Sequence, residues 1–314
     1  MIKYILKRIL LVIPVIIGVT FIVFTLNELS PGDPARVIAG SEASEEDVAA
    51  LREELGLNKP FLVRFVDYLY NFFFHGDLGT SYRTRQPVFE EIMARFPTTV
   101  LLTALSMAIM IIIGLPCGII SATRQYSTFD NVCTFVGLIG VSMPNFWQGL
   151  MNILIFSIIL EWFPPTGFYG PEYWVLPAFT IGTSAAAQVM RMTRSSMLDV
   201  VRQDYIVAAK AKGLPNNKVV LKHSLKNALI PILTVIGMHF GTSLGGAVVS
   251  ESVFAIPGLG KYMLDAIKST DYPVVQGGVL VLAILFSLVM LAVDIAYAFI
   301  DPRIASQYKS GASK

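Results

Sequence analysis

The sequence predicts an all-α polytopic membrane protein, and three observations carry that prediction: 54% of its 314 residues are apolar, only 15% are charged, and the apolar residues gather in long uncharged runs. A net charge of +2 is too small to point to nucleic acid. Cys117 and Cys133 are the only cysteines, and both lie in or beside apolar runs, so neither a disulfide framework nor a thiolate metal site is indicated.

A hydrocarbon layer about 30 Å thick needs roughly 20 helical residues. Six runs satisfy this: 9–26, 98–123, 131–160, 173–190, 228–250 and 273–293. The fourth is the weakest, diluted by Gly, Ser, Thr, Ala and Gln, and is inferred partly from topology. Pro14, Gly114, Pro116, Pro144, Pro177, Pro231, Gly245 and Gly246 fall inside these runs, where neighbouring helices can satisfy freed backbone groups.

Starting with Lys3, Lys7 and Arg8 in the cytoplasm, six crossings return the C-terminus to the same side. Fifteen of the 24 Lys and Arg residues are then cytoplasmic, against 17 of the 22 acidic residues outside, which is the bias that orients membrane proteins. The first run is too long for a usual signal core, and Asn27-Glu28-Leu29-Ser30-Pro31 offers no small-x-small cleavage site, so it reads as an uncleaved anchor. The chain divides into a cytoplasmic end with the first span (1–27), an external segment (28–97), a core of the remaining five spans (98–300) with a cytoplasmic loop at 191–227, and a cytoplasmic tail (301–314).

The external segment is too small for an independent binding domain. Ser44 with Asp47 resembles a capping box, Val48, Leu51 and Leu55 share a helical face, and Gly56 is placed to stop that helix. At 61–74, Phe61, Phe65, Leu69 and Phe72 share a face of an aromatic-rich helix suited to a membrane interface. The pattern fits both a docking surface for an external partner and a lid packed on the chain's own spans.

The inner loop 191–227 predicts a short helix at 205–212, capped by Asp204, stopped by left-handed Gly213 and prevented from continuing by Pro215. Such a rod, about 12 Å long, needs something to pack against. Tyr205, Ile206, Ala208 and Ala209 give it a bulky tip and a small-residue shoulder, as in a helix that inserts into a groove on another protein.

Val207-Ala208-Ala209, followed by Lys210-Ala211-Lys212 and Gly213, and then His223-Ser224-Leu225-Lys226-Asn227-Ala228-Leu229-Ile230-Pro231, resembles the permeases of ATP-binding-cassette importers, specifically the oligopeptide, dipeptide and nickel permease family. The pattern of importer permeases in general has an acidic residue where Val207 stands and Leu-Pro where Leu225-Lys226 stands; both departures resemble this family's own variant. Pro31-Gly32-Asp33-Pro34, Gly76-Asp77-Leu78-Gly79-Thr80-Ser81, Gly140-Val141-Ser142-Met143-Pro144, Glu251-Ser252-Val253-Phe254, Pro257-Gly258-Leu259-Gly260 and the stretch from Asp294 to Ile304 extend the likeness over nearly the whole chain.

The resemblance implies the six-helix type I importer permease fold in a bacterial or archaeal inner membrane, with both termini cytoplasmic. It implies a heterodimer with a second homologous permease, two ATP-binding-cassette ATPases that bind the ATP and Mg, and an external substrate-binding protein; membrane lipid surrounds the assembly, and this chain carries no cofactor of its own. Each permease would lend its inner-loop helix (Asp204, Tyr205, Ile206, Ala208, Ala209, Gly213) to one ATPase, and closure of the ATPases would rock the spans between inward-open and outward-open states. Pro144, Pro231 and the Gly245-Gly246 pair are the candidate bending points.

ATP chemistry is not encoded here. The only Gly-Lys pair, Gly260-Lys261, is followed by Tyr262 and has Ala255 where a phosphate loop needs glycine. Asp294, within the sixth run about two turns from Asp301, reads as a structural pairing residue rather than an ion site. His239 in the fifth run could face the path or meet a passing metal, although a polar helix contact suits it better, and His75 and His223 fall in other compartments. Transport of short peptides is the leading function; nickel or a metal chelate, supported internally by His239 alone, is the alternative. An intramembrane enzyme or sensor would need converging groups such as His-Glu-x-x-His, which the spans lack.

Overall fold

In the computed structural model the described residues are 2–300 without 31 and 41, and for 2–8, 246 and 298–300 the description is of the backbone. Asp301 and Pro31 therefore lie outside the described residues. Thirteen helices are found among the described residues: α1 (Ile2–Leu29), α2 (Pro34–Ala39), α3 (Glu45–Glu54), α4 (Phe61–His75), α5 (Val88–Thr123), α6 (Thr128–Ser142), α7 (Asn145–Asn152), α8 (Glu172–Val201), α9 (Asp204–Ala211), α10 (Asn216–Lys218), α11 (Leu225–Val253), α12 (Leu259–Lys268) and α13 (Tyr272–Ile300). α7 runs on as a π-helical stretch, Ile153–Ile159, and another, Val219–Ser224, joins α10 to α11.

All six apolar runs are helical. On length and composition alone, four described stretches can cross a membrane: Ile9–Leu29, Val88–Thr123, Asn216–Gly245 and Tyr272–Tyr297. The third run is not one helix, as the sequence reading had it. It breaks at Met143, whose backbone is extended (φ −84, ψ 128) ahead of Pro144, because the residue before proline is driven out of the helical region. The fourth run is the long helix α8, short of the hydropathy of a lone span.

The chain divides into two compact units. One holds Val100–Ile256 with the start of α1 and the second half of α13; the other holds Leu6–Thr99 and Pro257–Ser287.

In the first unit, α5 and α8 approach backbone to backbone through small residues. A Cβ on Gly114 would stand 2.7 Å from the Ala186 carbonyl oxygen, one on Gly118 2.5 Å from the Thr193 Cβ, and one on Gly182 2.7 Å from the Ser106 carbonyl oxygen. Gly114-x-x-x-Gly118 thus forms the small-residue seam that lets membrane helices pack closely. Residue numbers rise together along this seam, so α5 and α8 run parallel. By contrast, α6 and α7 meet α8 with numbers running oppositely, through Asp130 with Arg194, Gly137 with Met190, and Asn152 with Thr180. α11 meets α13 in the same opposed sense, through Thr234 with Tyr297 and Gly237 with Val293. Parallel second and fourth spans, with opposed third and fourth and opposed fifth and sixth, are what an alternating six-span path requires.

At one end of this bundle Arg194 holds Asp130 through two donors, Nε at 2.7 Å and Nη2 at 2.8 Å. Asp130 lies just outside the apolar stretch, is buried, and also accepts from the Tyr126 amide. The Arg194 hydrogen bond is the main cause that holds its carboxyl below the usual carboxylate range, against an opposing effect of burial.

In the second unit the external segment shares a core with α1, α12 and the start of α13, centred on Leu78, Val88, Ile92, Leu259 and Val274. Ser44 caps α3 by accepting from the Asp47 amide, and Gly56 follows that helix at φ +66. The loop after α4 is tied down by buried Asp271, which accepts from Ser81 Oγ at 2.6 Å and the Tyr82 amide at 3.0 Å. Burial in this region is the main reason the Tyr82 phenol is pushed up to about 12. Nearby, the Tyr262 hydroxyl donates to Glu91, with the Arg95 guanidinium 4.1 Å from the Tyr262 ring centre.

Two outcomes follow from this packing. Gly118→Leu is expected to force α5 from α8 and lower the melting temperature of the purified protein by several degrees, whereas Gly18→Ala, whose Cβ would meet open space, is not; differential scanning fluorimetry in detergent compares them. A depressed folded-state carboxyl contributes stability above its unfolded pKa that is lost as pH falls through the folded value. The wild type should therefore melt above Asp130→Asn at about pH 7, and the gap should begin to narrow only below about pH 4, the ordinary carboxylate value, and close as pH falls through the lower folded-state value.

Candidate functional site

α9 is built from the loop's own residues. Leu214 and Val219 on the far side of Gly213, together with Val200 at the end of α8, enclose Ile206 and Ala209 in a small apolar core. Gly213, at φ +75, makes the turn that brings these segments together, a conformation that costs a side-chain-bearing residue energy.

Three details differ from the sequence reading. The helix starts one residue earlier than predicted, with Gln203 at the cap position and Asp204 inside the first turn, so Asp204 is not the cap; its charge still suits the positive end of the helix dipole. Ile206 and Ala209 are buried, so they anchor α9 to its own protein rather than forming an insertion surface. Tyr205 keeps an exposed ring but turns its hydroxyl back to accept from Asn227 Nδ2 at 2.8 Å, on the first turn of α11. The periodicity of Ile206, Ala209 and Leu214 could have flagged an inward face, but a helix of eight residues gives that signal little length.

The outward residues of α9 are Asp204, Val207, Ala208, Lys210 and Ala211. Val207, where importer permeases carry an acidic residue, is 58% exposed, so a large apolar side chain is presented where water would favour a charge. Beside the end of α8 a cleft of about 350 Å³ is lined by Arg191, Arg194 and Arg202 with Asp199.

The membrane candidates separate. Pro144 stands at the break between α6 and α7, whereas α11 runs unbroken through Pro231, Gly245 and the backbone of Gly246. A Cβ at Gly245 would touch nothing within 4 Å, so close packing does not demand glycine there. His239 is buried, with Nδ1 3.3 Å from Thr242 Oγ1 of the next helical turn, and no group of three or more His, Cys, Asp or Glu among the described residues is placed to hold a metal ion. Asp294 lies on α13.

Polar pairs that the sequence did not single out lie between the spans: Gln148 Nε2 with Thr183 Oγ1 at 2.7 Å, Asn152 Nδ2 with Thr180 Oγ1 at 2.8 Å, and the Thr234–Tyr297 hydroxyl pair at 2.6 Å. They stitch α7 to α8 and α11 to α13 where water is scarce. An apolar cavity of about 490 Å³ lies among α5, α6 and α8, with the free thiols Cys117 and Cys133 on its wall.

A helical bundle of this kind has counterparts among known proteins. An inward-facing structure of the MetNI methionine ABC transporter shares the fold, with a TM-score of 0.57 at 20% identity over 68% of this chain and 97% of that one. The dipeptide transport system permease protein DppB of Alkalihalophilus pseudofirmus is 44% identical over 97% of this chain and 99% of its own length. DppB of Escherichia coli K12 is 40% identical, and the glutathione transport system permease protein GsiC of Salmonella choleraesuis 42% identical, with the same coverage. Residues 1–103 match the N-terminal family model of binding-protein-dependent transport system membrane components, and residues 114–306 match the model of the inner membrane component itself. With the span pattern, the braced loop helix and both family models in register along one sequence, this chain belongs to the binding-protein-dependent transport system inner membrane component family, and it is a transport subunit rather than an enzyme.

Proposed function

We propose that this chain is the membrane-spanning permease subunit of an ATP-driven importer of short peptides, and that α9 is the element through which a partner ATPase moves it. The observation that carries the coupling reading is the division of α9 into two faces: Ile206 and Ala209 locked inward, Val207 and Ala208 outward. A helix anchored in this way transmits a push on its outer face to the end of α8 and, through Tyr205 and Asn227, to the start of α11. The excess of Lys and Arg on the α9 side supports a cytoplasmic position for it and for both termini.

The peptide substrate rests on the relatives, which are named for dipeptide and glutathione transport. The nickel alternative has only His239 behind it, and that ring is engaged by Thr242. The remaining partners are a second homologous permease forming a heterodimer, two ATPases that bind ATP and Mg, and an external protein that delivers substrate. Alternating access then turns on the break at Pro144, with Pro231 and the Gly245-Gly246 pair as further points where α11 bends.

The test is uptake by the complete transporter in liposomes. ATP-dependent accumulation of a labelled dipeptide is expected, and accumulation of nickel alone would overturn the substrate reading. Ala208→Trp, which alters only the outward face, should cut uptake roughly tenfold, about 1.4 kcal/mol of coupling, with little change in melting temperature. Ile206→Ala should lower both, because it empties the core beneath the helix. Wild-type uptake by Ala208→Trp would remove α9 from the coupling role.

A further inference from the structure

α4 carries three stripes. Phe61, Phe65, Tyr68 and Phe72 pack inward, with the Phe65 ring 5.4 Å from Phe21 and 5.6 Å from Phe24 of α1. Arg64, Asp67 and Asn71 form a polar stripe between the other two; Arg64 is its half-buried member, and Asp67 and Asn71 are exposed. The stripe lines a cavity of about 260 Å³ within the same unit, where Arg64 pairs with Glu28 and Asp67 with Lys59 at 3.0 Å.

The third stripe is Leu62, Val63, Val66, Tyr70, Phe73 and Phe74, all between 44% and 74% exposed and without a charge among them. A helix bathed in water carries one apolar stripe, turned inward, and polar residues over the rest. Here a second apolar stripe lies open beside the polar one.

The contacts with α1 set the depth of this surface. Phe21 lies seven residues before Glu28, the first charge beyond the span, and so roughly 10 Å inside it at 1.5 Å per residue. α4 crosses α1 at Phe21 and Phe24, and α1 exposes Phe21, Ile22 and Leu26 at the same level. The exposed stripe of α4 is therefore continuous with a surface that already faces hydrocarbon.

We propose that α4 is seated in the outer leaflet, with Leu62, Val66, Phe73 and their neighbours against lipid acyl chains, so that the external segment is anchored to the bilayer as well as to α1. The polar stripe on Arg64, Asp67 and Asn71 is then the edge of α4 that borders the cavity, beside the lipid-facing side. Neither a docking face for the external binding protein nor cover by the second permease gives a reason for this depth.

The proposal is tested on the complete transporter in phosphatidylcholine vesicles, in a Cys117→Ser and Cys133→Ser background. A bimane label is placed on Val66→Cys or Phe73→Cys, with Glu46→Cys on exposed α3 as the aqueous reference. The labels on α4 are expected to lose about half their fluorescence to shallow doxyl-labelled lipid and little to iodide, as for a helix face buried about 5–10 Å in the interface, with no change when binding protein is added. The Glu46 label should behave in reverse. Quenching of the α4 labels by iodide, or a response to the binding protein, would overturn the proposal in favour of an aqueous or docking face. Shielding from both quenchers would overturn it in favour of cover by another protein chain.

Discussion

The close approach of α5 and α8 is the constraint on which the first unit depends. Gly114, Gly118 and Gly182 leave no room for a Cβ, so the two backbones touch, and helices that touch along parallel axes fix each other's register. α8 then becomes the central helix, with α6, α7 and α11 also packed on it. Its composition follows from that position. Ala178, Thr180, Gly182, Ala186 and Thr193 are buried in protein, so they need to be small rather than oily. The weakness of the fourth apolar run thus has the same cause as its importance: a helix enclosed by other helices is released from the demand that lipid places on the rest.

That reasoning also shows how much the sequence could tell. Apolar run length reports what surrounds a helix, and it located the strongly apolar segments because lipid tolerates no long polar stretch, whereas the fourth needed the topology as well. It does not report where a helix ends. α5 starts at Val88, ten residues ahead of its apolar run, and α8 continues to Val201, eleven beyond its own, because backbone hydrogen bonding carries on after the membrane stops. Nor does run length register a local backbone rule: the break at Pro144 lies inside a single apolar run, and only the proline itself marked it as a bending point. Capping chemistry was legible where a side chain supplied it, as at Ser44, and was misassigned at Asp204, where the adjacent polar residue Gln203 holds the cap position. The α4 region was ambiguous for a different reason: its aromatic residues fit a docking surface and a packed lid alike, and only the ring contacts to Phe21 and Phe24 show that one face packs on α1.

The long-range ties were beyond the reach of pattern altogether. Asp130 and Arg194, or Ser81 and Asp271, are far apart in sequence and carry no motif that joins them. They share a physical logic nonetheless. Each places a buried carboxylate where several donors converge, which makes the carboxylate inexpensive to bury and the geometry hard to exchange for another. One fixes where α6 enters against α8. The other fixes where the external loop meets the start of α13.

The same distinction between fixed and adaptable contacts bears on α9. A helix of eight residues has almost no stability of its own, so whatever force reaches it would melt it unless it is braced. The brace is mostly apolar, made by Ile206, Ala209, Leu214 and Val219 against Val200, with one hydrogen bond from Asn227 to Tyr205. Apolar packing resists compression from every direction, because interiors are as dense as crystals. The single polar contact adds a directed link to α11. Together they make the loop a rigid lever whose two points of attachment are the end of α8 and the beginning of α11, the helices whose other ends are also packed together through Leu176, Ala247 and Phe254. On the proposed coupling reading, a displacement entering at Val207 and Ala208 would pass through this brace to the ends of α8 and α11.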